Sequence, residues 1–118
     1  MGREIEQARW ETFLTEFNEQ NRSRPTRLGV IRMVDGVEED FWIEDGLPLA
    51  GVGVELEGGD DAPRVQIMLG GETADARNLT HTVRRVRRLR LGLPLRGMQD
   101  GLEVETEDGA RTLLRFEA

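Results

Sequence analysis

The sequence contains no cysteine, a single histidine and a single serine, and these absences exclude several kinds of site. Without cysteine the chain has no disulfide, no thiolate metal site and no cysteine nucleophile. One histidine without cysteine also leaves no nitrogen and sulfur set of the kind that holds zinc. The serine, Ser23, lacks a Gly-x-Ser-x-Gly context. We therefore predict no catalytic residue, metal or cofactor, and an enzyme is the less favoured class.

Long apolar runs are also missing. No stretch approaches the roughly 18 apolar residues that a membrane-spanning helix needs, and residues 1–20 lack the apolar segment of a signal peptide. The 118 residues match the usual size of one domain, and no linker divides them. We expect a single soluble domain over residues 1–118, in the cytoplasm.

The chain contains no lysine, so all sixteen of its basic residues are arginine. Acidic residues outnumber them and give a formal net charge of −7. A negative chain repels a phosphate backbone at long range, because nucleic-acid affinity depends on neutralisation by basic groups. The overall charge therefore disfavours nucleic acid as a partner.

A helical apolar stripe is the clearest pattern near the start of the chain. Large apolar residues recur at the i, i+3, i+4, i+7 spacing that places side chains on one face of a helix, namely Trp10, Phe13, Leu14 and Phe17. Pro25 and the weak helix formers before it end the pattern. The spacing predicts a helix over residues 6–20 that packs on another element.

From Pro25 onward the apolar period changes from 3.6 to 2, which is typical of β-strands. Asp35-Gly36 is a hairpin-type turn signal, and Asp45–Leu49 is expected to interrupt the next strand. Short connections favour antiparallel neighbours. The pattern predicts strands over residues 27–34, 39–44, 50–57, 64–69, 80–91, 102–106 and 111–116.

These elements predict an α+β, mainly β domain. The N-terminal helix should cover the open end or one face of a strongly bent antiparallel sheet of about six to seven strands, over residues 26–117. The sheet is expected either to stay open or to close into a small SH3-like or Sm-like barrel. The chain has six aromatic residues, and most of them are expected in the core.

The most unusual stretch is THTVRRVRRLR, residues 80–90, with its extension to Arg96. It holds six arginines and no acid, namely Arg84, Arg85, Arg87, Arg88, Arg90 and Arg96. One interpretation is a basic strip for nucleic acid or an acidic protein partner. The favoured alternative is a solvated strand face whose arginines pair with glutamates on neighbouring strands, such as Glu103 and Glu105.

His81 lies in the same stretch, between Thr80 and Thr82. A histidine can act as a general base near neutral pH, and with the two threonines and nearby carboxylates it would form a small-ligand or hydrolytic site. The favoured interpretation is structural, with the ring bonded to a backbone or hydroxyl group. Acidic stretches at residues 35–40 and 57–61 lack the spacing of a calcium loop, so no metal site is predicted there.

Three segments together resemble a known family. They are REIEQARWETFLTEFNEQ (Arg3–Gln20), IMLGG with LTHTV (Ile67–Val83) and LEVETEDGARTLLRF (Leu102–Phe116). The chain resembles a family of small bacterial proteins of unknown function along almost its whole length. The resemblance implies a stand-alone soluble bacterial domain and carries no activity, cofactor or site residue.

Three functions therefore remain open from the sequence. The favoured one is a non-enzymatic binding or assembly module, either a homo-oligomer or a binder of an acidic protein. The second is nucleic-acid binding through Arg84–Arg96. The third is a small-ligand or hydrolytic site around His81.

Overall fold

The computed structural model describes residues 3–71, 77–91 and 101–116. Its helix, α1, spans Trp10–Asn21 and follows one turn of 3₁₀-helix at Gln7–Arg9. Eight strands account for most of the remainder. They are β1 (Arg3–Ile5), β2 (Pro25–Val34), β3 (Val37–Glu55), β4 (Arg64–Gly70), β5 (Asn78–Val83), β6 (Val86–Leu91), β7 (Leu102–Thr106) and β8 (Arg111–Phe116).

All eight strands belong to one antiparallel sheet in the order β1-β6-β7-β8-β2-β3-β4-β5. The sheet curls strongly into a half-barrel, and α1 packs on its concave side. The predicted mainly β α+β architecture is confirmed, with the bent open sheet as the form it takes. Two differences raise the strand count above the prediction, since β1 has no visible alternation and residues 80–91 form two strands, and one lowers it, since the predicted strands at residues 39–44 and 50–57 are both part of β3.

Helix α1 forms where the apolar stripe predicts it. Trp10, Leu14 and Phe17 are buried, and the indole N–H of Trp10 donates a hydrogen bond to the carbonyl of Ile5 over 2.8 Å. The side-chain amide of Asn18 pairs with β3, donating to the carbonyl of Val52 over 2.9 Å and accepting from its N–H over 2.8 Å. This paired bond fixes the helix against the strand.

The longest strand, β3, joins two parts of the curled sheet. Its first half pairs with β2 and its second half with β4. The sequence prediction of an interruption at Asp45–Leu49 is wrong, because the chain bends there without leaving the sheet, with Gly46 at a φ of +102°. The predicted turn at Asp35-Gly36 is confirmed, since both residues have positive φ and join β2 to β3 directly.

The expectation of one strand over residues 80–91 is also wrong. The chain turns at Arg84 and Arg85, and Arg85 has a φ of +53°. The N–H of Arg85 donates to the carbonyl of Asp61 over 2.8 Å, and that of Val86 donates to the carbonyl of Pro63 over 2.9 Å. The turn is required because β5 pairs with β4, whereas β6 pairs with β1 and β7 at the other end of the sheet order.

Candidate functional site

The turn at Arg84 and Arg85 divides the arginine run between different surfaces. Arg84 forms an ion pair with Asp61 at 3.1 Å. The carbonyl of Arg85 accepts a hydrogen bond from the N–H of Glu107 over 3.0 Å, so the turn also contacts the β7–β8 connection. The first two arginines of the run therefore belong to the corner of the fold.

Arg88 and Arg90 lie on the convex face of the sheet and pair with acids of β7. Arg88 lies 3.7 Å from the carboxylate of Glu105, and Arg90 lies 3.2 Å from it. Arg90 also bonds Glu103, whose side chain is almost fully buried. The predicted cross-strand arginine–glutamate pairing is confirmed for these two residues.

Arg87 differs from its neighbours. It is exposed, and it has no ion pair within the described residues. Arg96 lies outside the described residues. Because Arg84, Arg88 and Arg90 are compensated by acids, the described part of the run does not form a one-sided basic strip.

His81 lies on β5 opposite Ile67 of β4. Paired residues of an antiparallel sheet share a face, so the histidine points toward the concave side with the buried Ile67. It is half-buried, and this burial lowers the pKa of its ring. By strand alternation Thr80 and Thr82 point to the opposite face. His81 therefore does not share a sheet face with Thr80 and Thr82, although Thr82 borders the same cleft as His81.

A cleft of about 740 Å³ opens beside His81, and we call it the His81 cleft. Strands β2 and β3 form one wall, while β5, the Arg84–Arg85 corner and the β7–β8 connection form the other. Its lining comprises apolar Val30, Phe41, Ile43, Val83 and Ala110, the hydroxyl residues Thr82, Thr106 and Thr112, the charged Arg32, Asp61, Arg84, Arg85, Glu107 and Asp108, and His81 itself. The cleft thus has an apolar wall and a larger set of polar and charged groups, and a concave surface that combines the two is a candidate ligand site.

Two carboxylates of the cleft, those of Asp61 and Asp108, are held in their charged form. Partial desolvation acts to raise the pKa of Asp61, but hydrogen bonds from Arg64 and Arg84 outweigh it and leave the pKa below its usual range. Bonds from the Thr106 hydroxyl and the Ala110 N–H lower the pKa of Asp108. Asp61 and Asp108 are therefore charged near neutral pH and already bonded by groups of this chain. Within the described residues no hydrogen bond joins the ring of His81 to a carboxylate or hydroxyl.

The burial of His81 gives a prediction on pH. Because its pKa is lowered from 6.5 in the folded state, the unfolded chain takes up a proton first as the pH falls. The stability contributed by the neutral ring is fully present above pH 6.5 and is lost as the pH falls through the folded pKa. Urea unfolding between about pH 7.5 and pH 5.5 should show a smaller loss of stability in His81→Gln than in the wild type. Equal losses in the two proteins would contradict this account.

The sequence analysis also did not predict that two aromatic side chains of β3 are exposed. The expectation that most aromatics enter the core is correct for Trp10, Phe17 and Phe116, but Phe41 and Trp42 are exposed. The exposure of one of them could have been predicted, because adjacent residues of a strand face opposite sides of the sheet and cannot both enter one core. Phe41 and Trp42 lie on residues 32–44, which we call the hairpin arm. In this arm β2 has passed its last pairing with β8, and β3 has not yet reached its first pairing with β4.

An arginine covers each of these aromatic rings. The guanidinium of Arg27 lies 3.9 Å from the ring centroid of Trp42 on the convex face, and that of Arg32 lies 5.3 Å from the ring centroid of Phe41 on the concave face. Trp42 sits directly over Gly29, where an added Cβ would come within 2.8 Å of the indole. The arm therefore presents an ordered aromatic group on each of its faces.

Comparisons with protein-family models, with curated proteins and with solved structures find no significant match to this chain. The resemblance to small bacterial proteins therefore remains a prediction. Among the described residues no helix is long and apolar enough to cross a membrane, and no three acidic or histidine side chains are grouped to hold a metal ion. The candidate sites consequently rest on geometry alone, in the His81 cleft and on the hairpin arm.

Proposed function

We propose that this protein is a non-enzymatic binding module that takes up a basic, extended segment of a partner protein along its hairpin arm. The observation that carries the proposal is the distribution of exposed apolar side chains. Four of the five large hydrophobic residues exposed in the described chain lie on the arm, with exposed fractions of 63% for Met33, 62% for Val37, 43% for Phe41 and 47% for Trp42. Concentrated exposure of this kind marks interaction surfaces.

The arm also offers a free strand edge. Strand β4 pairs with β3 only from Leu49 onward, so residues 37–44 of β3 have no described partner strand on the side away from β2. Such an edge presents backbone donors and acceptors that an added strand can use. The alternating side chains, with Phe41 on one face and Trp42 on the other, would then contact both faces of the added segment.

The charge of the arm favours a basic partner. Glu38 forms an ion pair with Arg111 at 3.0 Å, whereas Asp35, Glu39 and Asp40 have no ion pair within the described residues. Carboxylates beside apolar groups attract arginine and lysine side chains and repel acidic ones. A strand that alternates basic and aliphatic residues matches this surface in both charge and shape.

The same charges weigh against the other partners considered from the sequence. Two copies joined through this edge would place their unpaired carboxylates close together, which opposes a dimer formed here. An acidic protein or a nucleic acid would require the arginine run, whose members Arg84, Arg88 and Arg90 already pair with acids of this chain. A basic extended segment is therefore the occupant that the arm supports best.

Two synthetic octapeptides of equal length test the proposal, one alternating lysine with valine and the other glutamate with valine. Trp10 is buried and Trp42 is exposed, so changes in acrylamide quenching report on the arm. We expect the basic peptide to protect Trp42, with an affinity that falls as salt is raised, and to slow hydrogen exchange at amides of residues 37–44. Equal binding of the two peptides, or none by either, would refute the proposal.

Paired charge variants localise the binding. Glu39→Gln with Asp40→Asn should weaken the basic peptide about fivefold, as expected for two exposed charge contacts. The control, Glu11→Gln with Glu19→Gln, removes the same charge from the exposed face of α1 and should leave the affinity unchanged. A similar loss in both double variants would mean that net charge, and not the arm, attracts the peptide. Light scattering that shows a dimer lost in Trp42→Ala would instead indicate a second copy as the partner.

A further inference from the structure

The His81 cleft combines an apolar wall with an arginine, Arg32, that has no ion pair within the described residues. On the wall, Phe41 faces the cleft beside Val30 and Ile43, and His81 lies across from them on β5. The ring of Phe41 is exposed even though it lies on the concave side of the sheet. An exposed aromatic ring inside a cleft provides a flat surface on which a small ring system can stack.

The charges around the cleft are mostly compensated within the protein. Arg84 pairs with Asp61 at 3.1 Å, and Arg85 lowers the pKa of Asp108 by its nearby charge. Arg85 and Arg32 both lack an ion pair within the described residues, but Arg85 lies near the charge of Asp108, whereas Arg32 lies on the apolar wall. Arg32 lies over the ring of Phe41 and has no ion pair within the described residues, although Glu39 is its cross-strand neighbour on β3.

We propose that the His81 cleft binds a small organic anion with a flat apolar body, which stacks on Phe41 and places its carboxylate on Arg32. A guanidinium presents paired N–H donors that match a carboxylate, and such charge-assisted bonds are among the strongest in proteins. The guanidinium of Arg32 lies 5.3 Å from the ring centroid of Phe41, so a ligand that stacks on this ring takes the place of the guanidinium, which moves aside to bond the carboxylate.

His81 supplies the polar contact on the opposite wall. In its neutral form one ring nitrogen donates and the other accepts, so the residue can bond a hydroxyl or a carbonyl group of the ligand. A ligand bound to Arg32 contacts His81 only if its body extends across the cleft to β5. This site shares Phe41 with the hairpin arm that we propose for a basic partner segment, but it lies on the concave face only, whereas Trp42 reports on the convex face.

A matched pair of small molecules tests the assignment. 2-Naphthoate and 2-naphthamide have the same aromatic body, and only the first carries a charge. Titration of each into isotopically labelled protein, followed by amide and arginine side-chain NMR signals, measures affinity and position together. We expect shifts at Arg32, Phe41 and His81, and about tenfold tighter binding of naphthoate, which corresponds to one charge-assisted contact.

Three variants separate the contributions. Arg32→Gln should remove the preference for naphthoate while naphthamide binds as before. Phe41→Leu should weaken both molecules by a similar factor. Arg87→Gln is the control, since it removes an exposed, unpaired arginine that does not line the cleft, and it should change neither affinity.

Two results would overturn the inference, and each has a different meaning. Equal binding of naphthoate and naphthamide to the wild type would leave a small-molecule cleft but exclude its selection for anions. The absence of shifts at Arg32, Phe41 and His81 with either molecule would exclude the site altogether. Neither result bears on peptide binding by the edge of β3, because that is measured through Trp42 on the other face.

Discussion

Replacing Leu114 by alanine is expected to lower the free energy of unfolding by about 3–4 kcal/mol, the largest effect we predict for a single side chain. Leu114 lies on β8 between Leu28 of β2 and Leu102 of β7, and all three are almost completely buried in the centre of the core. The strands on both sides hold the backbone in place, so the cavity cannot close by local collapse. Urea unfolding followed by circular dichroism measures the difference.

The adjacent residue provides a matched control. Leu113 is also buried, but it faces the convex side of the sheet, where it lies beside Trp42 and Arg115 and outside the main core. Leu113→Ala should cost only about 1–2 kcal/mol, because mobile surface side chains and water can fill the space left behind. Equal losses for the two leucines would mean that the convex face is packed as firmly as the concave one.

Replacing Glu103 by glutamine is expected to cost about 2–3 kcal/mol, the second largest effect. The side chain of Glu103 is only 5% exposed, bonds Arg90 and lies 3.7 Å from Arg111. Its charge also acts on Arg115, whose pKa is lowered by burial and by nearby Arg27. A neutral amide of the same size would leave these arginines beside one another without their central anion.

An exposed member of the same network shows how much of the effect comes from burial. Glu4 lies 3.7 Å from Arg88, but its side chain is 58% exposed, so Glu4→Gln should cost less than about 0.5 kcal/mol. The same urea assay at neutral pH compares the two variants. If Glu103→Gln were as mild as Glu4→Gln, the buried carboxylate would not be the centre of the convex network.

Part of the fold could be predicted because it depends on local sequence. The helical stripe of Trp10, Leu14 and Phe17 has one face to bury and predicts α1, and Asp35-Gly36 predicts the tight turn between β2 and β3. The pairing of Arg90 with Glu103 follows from the alternation of charged and apolar residues on two neighbouring strands. These features involve residues close in the chain or patterns with a fixed period.

The candidate sites were harder to predict. His81 was identified, but the opposite wall of its cleft was not, because Phe41 lies 40 residues and Arg32 lies 49 residues earlier in the chain. The turn at Arg84 and Arg85 could have been predicted from the spacing of apolar residues. Val83 and Val86 are three residues apart, whereas residues on one face of a continuous strand recur every two residues. The exposure of Trp42 could also have been predicted, because Trp42 directly follows another large aromatic residue.

The sequence by itself determined the class of the protein: one amphipathic helix, an antiparallel sheet and an acidic chain whose basic residues are concentrated in one stretch. Only the tertiary structure decided where the two proposed binding surfaces lie. The curl of the sheet places Arg32 of β2 and Phe41 of β3 in the same cleft as His81, and among the described strands residues 37–44 of β3 pair with β2 alone. Both depend on how distant strands meet, and the period of an isolated strand contains no information about its neighbours in the sheet.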